Sequence, residues 1–237
     1  MYKYDLHTHT NAGSLCGVST PEDMVAAYAK AGYSGIVITD HFICGNTCVP
    51  RSLEWTKRID AYFSAYERAA KAAKEFKDFT VFFGAEYAYA AGHEILIYGA
   101  EKKFLYEHPE IENADIFALC ELLKKNGCLV ISAHPFRERE YNDFSVPAEL
   151  PCADGAEIYN SHNSDSENQK ALSYVAENSL IPSSGGDIHD AADRNIGLAG
   201  IETEKRIKSS DELISVLRAG NYRVLAKGKS FSLNEVF

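Results

Sequence analysis

Short apolar runs alternate with amphipathic stretches along the 237-residue chain. The apolar runs are rich in β-branched and aromatic residues, which is typical of buried strands. The stretches between them, including residues 53–76, 115–127, 166–179 and 210–220, repeat apolar positions at helical spacing. This alternation predicts an α/β fold with a largely parallel, helix-covered sheet, and about seven such units favour a barrel. The predicted strands are YDLHTHT, GIVITDH, TVFFGAEY, EILIYG, CLVISAHPF, AEIYN, LIPSSGGDIH and YRVLAK.

Composition and charge limit the classes of protein to which this chain can belong. Hydrophobic residues make up 46% of the chain and charged residues 24%, and no segment has the composition of a linker, so we expect one domain over residues 1–237. The net charge of −10 repels a phosphate backbone, so extended nucleic-acid binding is not expected. Neither a signal peptide nor a run of ~18 apolar residues is present, which predicts a cytoplasmic protein without membrane contact. Six scattered cysteines are then expected to be thiols.

Potential metal ligands follow the apolar runs at several points of the chain. In an α/β barrel the carboxyl ends of the parallel strands meet on one face. Residues i and i+2 of an extended chain point the same way, so His7 with His9 can offer two donors to one cavity, as can Asp187 with His189. One such pair is weak evidence, but the joint placement predicts a metal site. The side chains concerned are those of His7, His9, Asp40, His41, Glu86, His134, Glu157, Asp187 and His189.

Five of these motifs resemble a known family. DLHTHT, ITDH, GAEY, SAHPF and GGDIH occur in the order and rough spacing of the PHP family, named for polymerase and histidinol phosphatase domains. The resemblance extends from Asp5 to about Gly197. It implies a distorted (β/α)7 TIM-like barrel, two or three divalent ions, and hydrolysis of phosphate esters. Zinc, manganese and iron all accept imidazole and carboxylate ligands, so the metal stays open.

The resemblance also implies a role for each matching residue. His7, His9 and Asp187 would hold a first ion, and Glu86 would bridge this ion to a second one. His134 would bind the second ion. The remaining matches are His41 and His189 as ligands of a third ion, with Asp40 orienting a neighbouring ligand from outside the coordination shell.

Two positions depart from the family pattern. Many members hold the third ion with an aspartate or histidine where this chain offers only Cys16, which is either a thiolate ligand or a loop residue. Many members also place a histidine in the strand after the bridging glutamate, where this chain has Leu96. His93 lies three residues earlier and therefore has the wrong parity to replace it. The second ion is expected to be one ligand short.

Donors for a phosphate group are expected on the loops above the strands. Arg137, three residues after His134, and Arg194, after His189, are predicted to bind substrate oxygens. Asn160 at the end of AEIYN is predicted to line the pocket, whereas the role of Glu157 stays open. The sequence has no convincing Ser-His-Asp, GxSxG or P-loop pattern, so a metal-activated hydroxide rather than a side chain is the expected nucleophile.

The predicted function is hydrolysis of a small-molecule phosphate ester, either a monoester similar to histidinol phosphate or a nucleotide. The loops over residues 42–52 and 137–152 are expected to set specificity. Two alternatives stay open. A metal-dependent amidohydrolase would share the barrel and the HxH motif, and a non-catalytic, metal-binding regulatory module would explain the departures at Cys16 and Leu96. The oligomeric state is not fixed by the sequence.

Overall fold

Ten strands form one sheet in a computed structural model that describes residues 1–236. Seven helices and two short 3-10 segments, Ala73–Glu75 and Pro109–Asn113, connect them. The strands are β1 (Tyr2–Thr8), β2 (Gly35–Ile38), β3 (Thr80–Ala90), β4 (His93–Tyr98), β5 (Leu129–Ala133), β6 (Gly155–Asn160), β7 (Ile181–Gly185), β8 (Gly200–Thr203), β9 (Arg223–Ala226) and β10 (Lys229–Ser232). The helices are α1 (Pro21–Lys30), α2 (Trp55–Ala72), α3 (Lys102–Glu107), α4 (Ile116–Lys125), α5 (Asp165–Asn178), α6 (Ser210–Ala219) and α7 (Leu233–Val236).

The direction of the strands determines which strand ends lie together. The strand order is β10-β9-β8-β1-β2-β3-β4-β5-β6-β7. Neighbours pair in parallel from β1 to β3 and again from β5 to β7, whereas β4 is antiparallel to both of its neighbours. Two reversals cancel, so β1, β2, β3, β5, β6 and β7 all run the same way. Their carboxyl ends lie at one end of the sheet.

The sheet curls until the chain after β7 reaches β1. Thr8 pairs with Ile188 in a single parallel bridge, the amide of Asp187 donates to the carbonyl of His7 at 2.8 Å, and His9 donates to Ile188 at 2.8 Å. The predicted α/β class is confirmed. However, this short junction takes the place of a full ladder, so the sheet is a curled half-barrel. Strands β8 to β10, of which the sequence pattern indicated only β9, extend it beyond β1 as an antiparallel edge.

Apolar packing holds the strands beneath the polar strand ends. Leu6, Phe82 and Leu96 come from β1, β3 and β4 and are buried in one cluster. Met24 of α1 and Ile36 of β2 belong to a second cluster, in which α1 and α2 cover neighbouring strands. The apolar periodicity that predicted these helices therefore marks the faces they bury.

Two further expectations from the sequence concern membranes and thiols. No helix within residues 1–236 combines the length and the apolar character that a bilayer crossing requires. The six cysteines form no disulfide among the described residues, and their state as thiols stays a prediction. Cys44 lies 3.6 Å from the carbonyl oxygen of Ala88, and Cys48 lies 3.5 Å from that of Asn11. These two thiols therefore contact different parts of the backbone and do not form a shared metal site.

Glu167 joins α5 to the loop that follows β5. Its carboxylate accepts from the amide of Ser164 at 2.6 Å within a capping box. It also accepts from the amide of Glu138 at 2.9 Å and from Arg139 Nη1 at 2.8 Å. Burial raises the pKa of Glu167, but these donors outweigh burial and lower the pKa to about 2. The ionised carboxylate therefore fixes the start of the loop over residues 137–152.

We expect Glu167→Gln to reduce stability in a pH-dependent way. Because the pKa in the folded protein lies below the value of about 4.3 in an unfolded chain, the ionised form stabilises the fold at neutral pH. The free energy of unfolding should fall by about 2 kcal/mol at pH 6, and the difference should vanish as the pH falls from about 4 to 2. Urea titrations across this range measure it. Glu204→Gln, at an exposed position, is the control, and a pH-independent loss would contradict the assignment.

Candidate metal centre

All seven histidine and carboxylate side chains predicted as ligands meet at the carboxyl end of the sheet. Their donor atoms fall into four overlapping groups, and within each group the atoms lie within 4.8 Å of one another. An eighth side chain, Glu94, joins them. The groups are His7, His9 and Asp187; His7, Glu86 and His134; His9, His41 and His189; and His41, Glu86 and Glu94.

Local backbone geometry turns several of these side chains inward. His7 and His9 flank Thr8, whose hydroxyl points the other way and donates to the carbonyl of Val37 at 2.7 Å. His134 and Asp187, which follow β5 and β7, have positive φ angles of 30° and 57°. Side chains other than glycine rarely adopt such angles, and those that do cluster at functional sites. The chain therefore accepts strain at two of the predicted ligands.

Glu86 lies at the centre of the cluster. Its Oε1 lies 3.1 Å from Nε2 of both His7 and His134, and its Oε2 lies 2.9 Å from His41 Nδ1 and 3.4 Å from His9 Nε2. Burial raises the pKa of Glu86, but the charges of His7 and His41 outweigh burial and hold the pKa well below its usual range. Glu86 is therefore an ionised carboxylate within reach of four imidazoles.

The pKa values of His7 and His9 shift in opposite directions because the neighbours of the two rings differ. Burial lowers the pKa of His7, but the carboxylates of Glu157, Asp187 and Glu86 outweigh it and raise the pKa well above 6.5. Burial beside His189 instead lowers the pKa of His9 to about 3. His9 is therefore neutral at pH 7, and its unprotonated nitrogen is suited to metal coordination.

Several buried polar atoms of the cluster have no hydrogen-bond partner among the described residues. They include His41 Nδ1, Glu86 Oε2 and His134 Nδ1. The first two lie 2.9 Å apart without the alignment of a hydrogen bond. A buried polar atom left unpaired costs about 1–3 kcal/mol, whereas imidazole nitrogens and carboxylate oxygens are ligands of divalent cations. The donor set therefore fits divalent metal ions.

Glu157 orients His7, which answers a question that the sequence left open. Its Oε1 lies 3.0 Å from His7 Nδ1, and its Oε2 accepts from the amide of His134 at 2.9 Å and from Asn160 Nδ2 at 3.0 Å. Gly185 of β7 makes room for this contact, since a β-carbon there would lie 2.3 Å from Glu157 Oε1 and 2.4 Å from the β-carbon of His7. A carboxylate on the far nitrogen of an imidazole fixes its tautomer and ring position.

Asp40 acts on the cluster through Ser14. Its Oδ1 accepts from the Ser14 hydroxyl at 2.8 Å and from the amide of Thr10 at 2.6 Å, and Ser14 Oγ lies 3.1 Å from His9 Nδ1. Burial raises the pKa of Asp40 to about 6. Asp40 belongs to none of the four groups. Sequence reasoning missed Ser14 because a loop serine carries no periodic signal.

Cys16 lies beside the His41 and His189 end of the cluster. Burial raises the pKa of its thiol, but hydrogen bonds with His189 and His41 outweigh burial and lower the pKa to about 6. The ring of His189 stacks on that of His9, with centroids 4.2 Å apart. The thiol is outside the four groups, so its role as a ligand stays a prediction.

Arg137 is the arginine that the structure brings to the cluster. Its Nη2 lies 2.7 Å from Asp187 Oδ2 and donates to Asn160 Oδ1 at 2.8 Å, while its Nε donates to Asn163 Oδ1 at 2.8 Å. Because the Asn160 amide binds Arg137 and Glu157, it positions the arginine rather than facing a substrate. Arg194 is exposed and makes no hydrogen bond or ion pair with residues 1–236.

Glu94 is the cluster member that sequence reasoning missed. Its Oε1 lies 3.4 Å from His41 Nδ1 and its Oε2 lies 3.4 Å from His134 Nε2. Leu96, two residues later, is fully buried in the apolar core. Parity along β4 could have found Glu94, because residues 94 and 96 face the same side of a strand. His93 has the opposite parity, and its Nε2 lies 3.0 Å from the carbonyl of Asp143.

A model of the PHP domain matches residues 5–213 of the chain. The protein belongs to the PHP family. This match confirms the resemblance seen in the motifs. Members of the family are metal-dependent phosphoesterases and related hydrolases. The four ligand groups give this PHP domain the side chains that divalent metal requires.

Solved structures share the fold at low sequence identity. A two-domain protein from Bacteroides vulgatus with a PHP-like metal-dependent phosphoesterase is 16% identical, with a TM-score of 0.68. The alignment covers 97% of this chain and 66% of that protein, so the chain spans about two thirds of its length.

Two other structures with this fold carry different names. An amidohydrolase from Chromobacterium violaceum is 16% identical, with a TM-score of 0.51 and coverage of 78% of this chain and 87% of that one. A lesion-specific endonuclease from Pyrococcus furiosus is 14% identical, with a TM-score of 0.60 and coverage of 94% of this chain and 57% of that one. The comparison with curated proteins found no match. At these identities the likeness concerns the fold alone.

Proposed function

We propose that this protein is a metal-dependent phosphoesterase that hydrolyses a small-molecule phosphate ester. The observation that carries the proposal is the surroundings of Glu86: a buried, ionised carboxylate within 3.4 Å of four imidazoles, with one oxygen lacking a hydrogen bond. Such a concentration of donors in a protein interior favours cations between them. Membership of the PHP family supports the reaction class.

The proposed ligand assignment follows the groups of donor atoms. His7, His9 and Asp187 would hold one ion, and Glu86 would bridge this ion to a second ion on His134. His41 and His189 would hold a third ion, with Cys16 as a further donor. When bound, zinc, manganese or iron ions polarise phosphoryl oxygens and lower the pKa of water. Neutral His9 offers its nitrogen at pH 7 without first losing a proton. Glu157 keeps the ring of His7 in place.

Arg137 is the proposed phosphate-binding side chain. Burial lowers its pKa, but the carboxylate of Asp187 outweighs burial and raises it, so the guanidinium stays charged. Asn160 and Asn163 hold Nη2 and Nε, and among residues 1–236 no hydrogen bond or ion pair occupies Nη1. A fixed guanidinium with a free donor suits one phosphoryl oxygen. Since the net charge is −10, this local positive charge favours a compact phosphate ester over a long nucleic-acid backbone.

We further propose that residues 1–237 form one PHP-type domain, built as a distorted (β/α)7 barrel. The contacts of Thr8, His7 and His9 with the chain after β7 support this arrangement. A cytoplasmic location stays a prediction, and the six free thiols are in keeping with a reducing compartment.

Metal analysis coupled to a substrate panel tests the function. Protein purified without chelator is expected to carry two or three divalent ions per chain and to hydrolyse p-nitrophenyl phosphate, histidinol phosphate or a nucleotide. Chelation should remove activity, and added metal should restore it. Turnover of amides alone would favour the amidohydrolase, cleavage of damaged duplex DNA alone would favour an endonuclease, and bound ions without any turnover would favour a non-catalytic module.

A further inference from the structure

Two carboxylates span the same pair of histidines. Glu86 reaches His134 through Oε1 at 3.1 Å and His41 through Oε2 at 2.9 Å. Glu94 reaches His134 through Oε2 at 3.4 Å and His41 through Oε1 at 3.4 Å. The two glutamates come from adjacent antiparallel strands, in which Glu86 pairs with Leu96 and Glu94 with Ala88. They are therefore diagonal neighbours on one face of the sheet.

The surroundings of Glu94 do not satisfy an ionised carboxylate. Its side chain is 16% exposed, and its ion-pair contacts among residues 1–236 are those with the His41 and His134 rings at 3.4 Å. Two buried carboxylates side by side repel each other unless positive charge lies between them. Imidazoles at 3.4 Å compensate only in part, since this distance exceeds that of a charge-assisted hydrogen bond.

We propose that Glu94 is a metal ligand that takes the place of the histidine missing at position 96. Its two oxygens would join the ion on His134 to the ion on His41, whereas Glu86 would join the ion on His134 to the first ion. This inference rests on the proposed function, because it requires ions in the cluster. The second ion is then not short of a ligand. Two bridging carboxylates make the donor set richer in oxygen, which favours manganese or iron over zinc relative to a site with one more imidazole.

Manganese binding by Glu94→Gln tests the proposal. Equilibrium dialysis with elemental analysis should give at least about tenfold weaker binding of one ion than in the natural protein, with the other ions retained. The electron paramagnetic resonance signal of coupled manganese ions should lose the contribution of the pair that Glu94 bridges, whereas coupling through Glu86 remains. Glu202→Gln is the matched control, because Glu202 is a buried strand glutamate paired with Lys3 away from the cluster. It should keep both properties.

The outcomes separate this inference from the proposed function. If the natural protein binds ions and hydrolyses phosphate esters but Glu94→Gln leaves manganese content and coupling unchanged, only the role of Glu94 is overturned. If the natural protein binds no ions, both fail. Circular dichroism reports folding, and Glu94→His serves if the glutamine variant does not fold. One imidazole nitrogen binds a single ion, so this variant should keep the ions but lose the coupling between those on His134 and His41. A coupled signal identical to that of the natural protein would overturn the bridge.

Discussion

Replacing Glu86 with alanine is expected to lower kcat/KM for phosphate ester hydrolysis by at least about 10³-fold. Glu86 is the carboxylate that all four neighbouring imidazoles approach, so its loss removes the proposed bridge between ions. His9→Ala should have a similar effect, because His9 belongs to two of the four ligand groups. Steady-state kinetics with saturating metal, together with metal content, are the measurements.

The fold of these variants should persist, because the apolar clusters that hold the strands do not include the ligands. Thermal unfolding in the presence of chelator checks this point, and Glu202→Ala controls for the loss of a buried strand glutamate. Activity within tenfold of the natural protein in both Glu86→Ala and His9→Ala would contradict the metal assignment.

Replacing Arg137 with alanine is expected to lower kcat/KM by about 10²-fold, chiefly through a higher KM. Lysine at this position keeps the positive charge but lacks the planar fork of the guanidinium. Arg137→Lys should therefore lower kcat/KM by about tenfold relative to the natural protein. Arg194→Ala is the matched control, since Arg194 is exposed and should change kcat/KM by less than about twofold.

Metal content distinguishes two roles of Arg137. Its guanidinium lies 2.7 Å from Asp187 Oδ2, so it could act by holding Asp187 rather than by binding phosphate. If it binds phosphate, Arg137→Ala keeps its ions and loses inhibition by inorganic phosphate. Loss of an ion with unchanged phosphate inhibition would instead assign Arg137 to positioning Asp187.

The sequence predicted the ligands that lie where parallel strands end, and the reason is geometric. Parallel strands deliver their last residues to one face, so the motifs around His7, His41, His134 and Asp187 converge once the fold class is known. Glu94 escapes this rule. Because β4 runs antiparallel to its neighbours, its beginning rather than its end reaches the cluster, and Glu94 pairs with Ala133 at the end of β5.

Other features were beyond the sequence because loop conformation decides them. The contact of Ser14 with His9 and Asp40 depends on how the loop after β1 folds back. The hydrogen bond from Arg137 to the Asn160 amide oxygen depends on the path of the chain between His134 and Arg137. Strands β8 (GIET) and β10 (KSFS) have four residues each and, unlike β2 (GIVI) and β9 (RVLA) of the same length, contain no run of consecutive apolar residues.

The narrow junction between β1 and the chain after β7 gives the ions a mechanical role. Four residues make its two backbone hydrogen bonds, and three of them, His7, His9 and Asp187, also share one ligand group. A cation bound there would crosslink β1 to the chain after β7, at the two margins of the curled sheet. Loading with metal would thereby rigidify the closure of the barrel, and the metal-free protein would open first along this line.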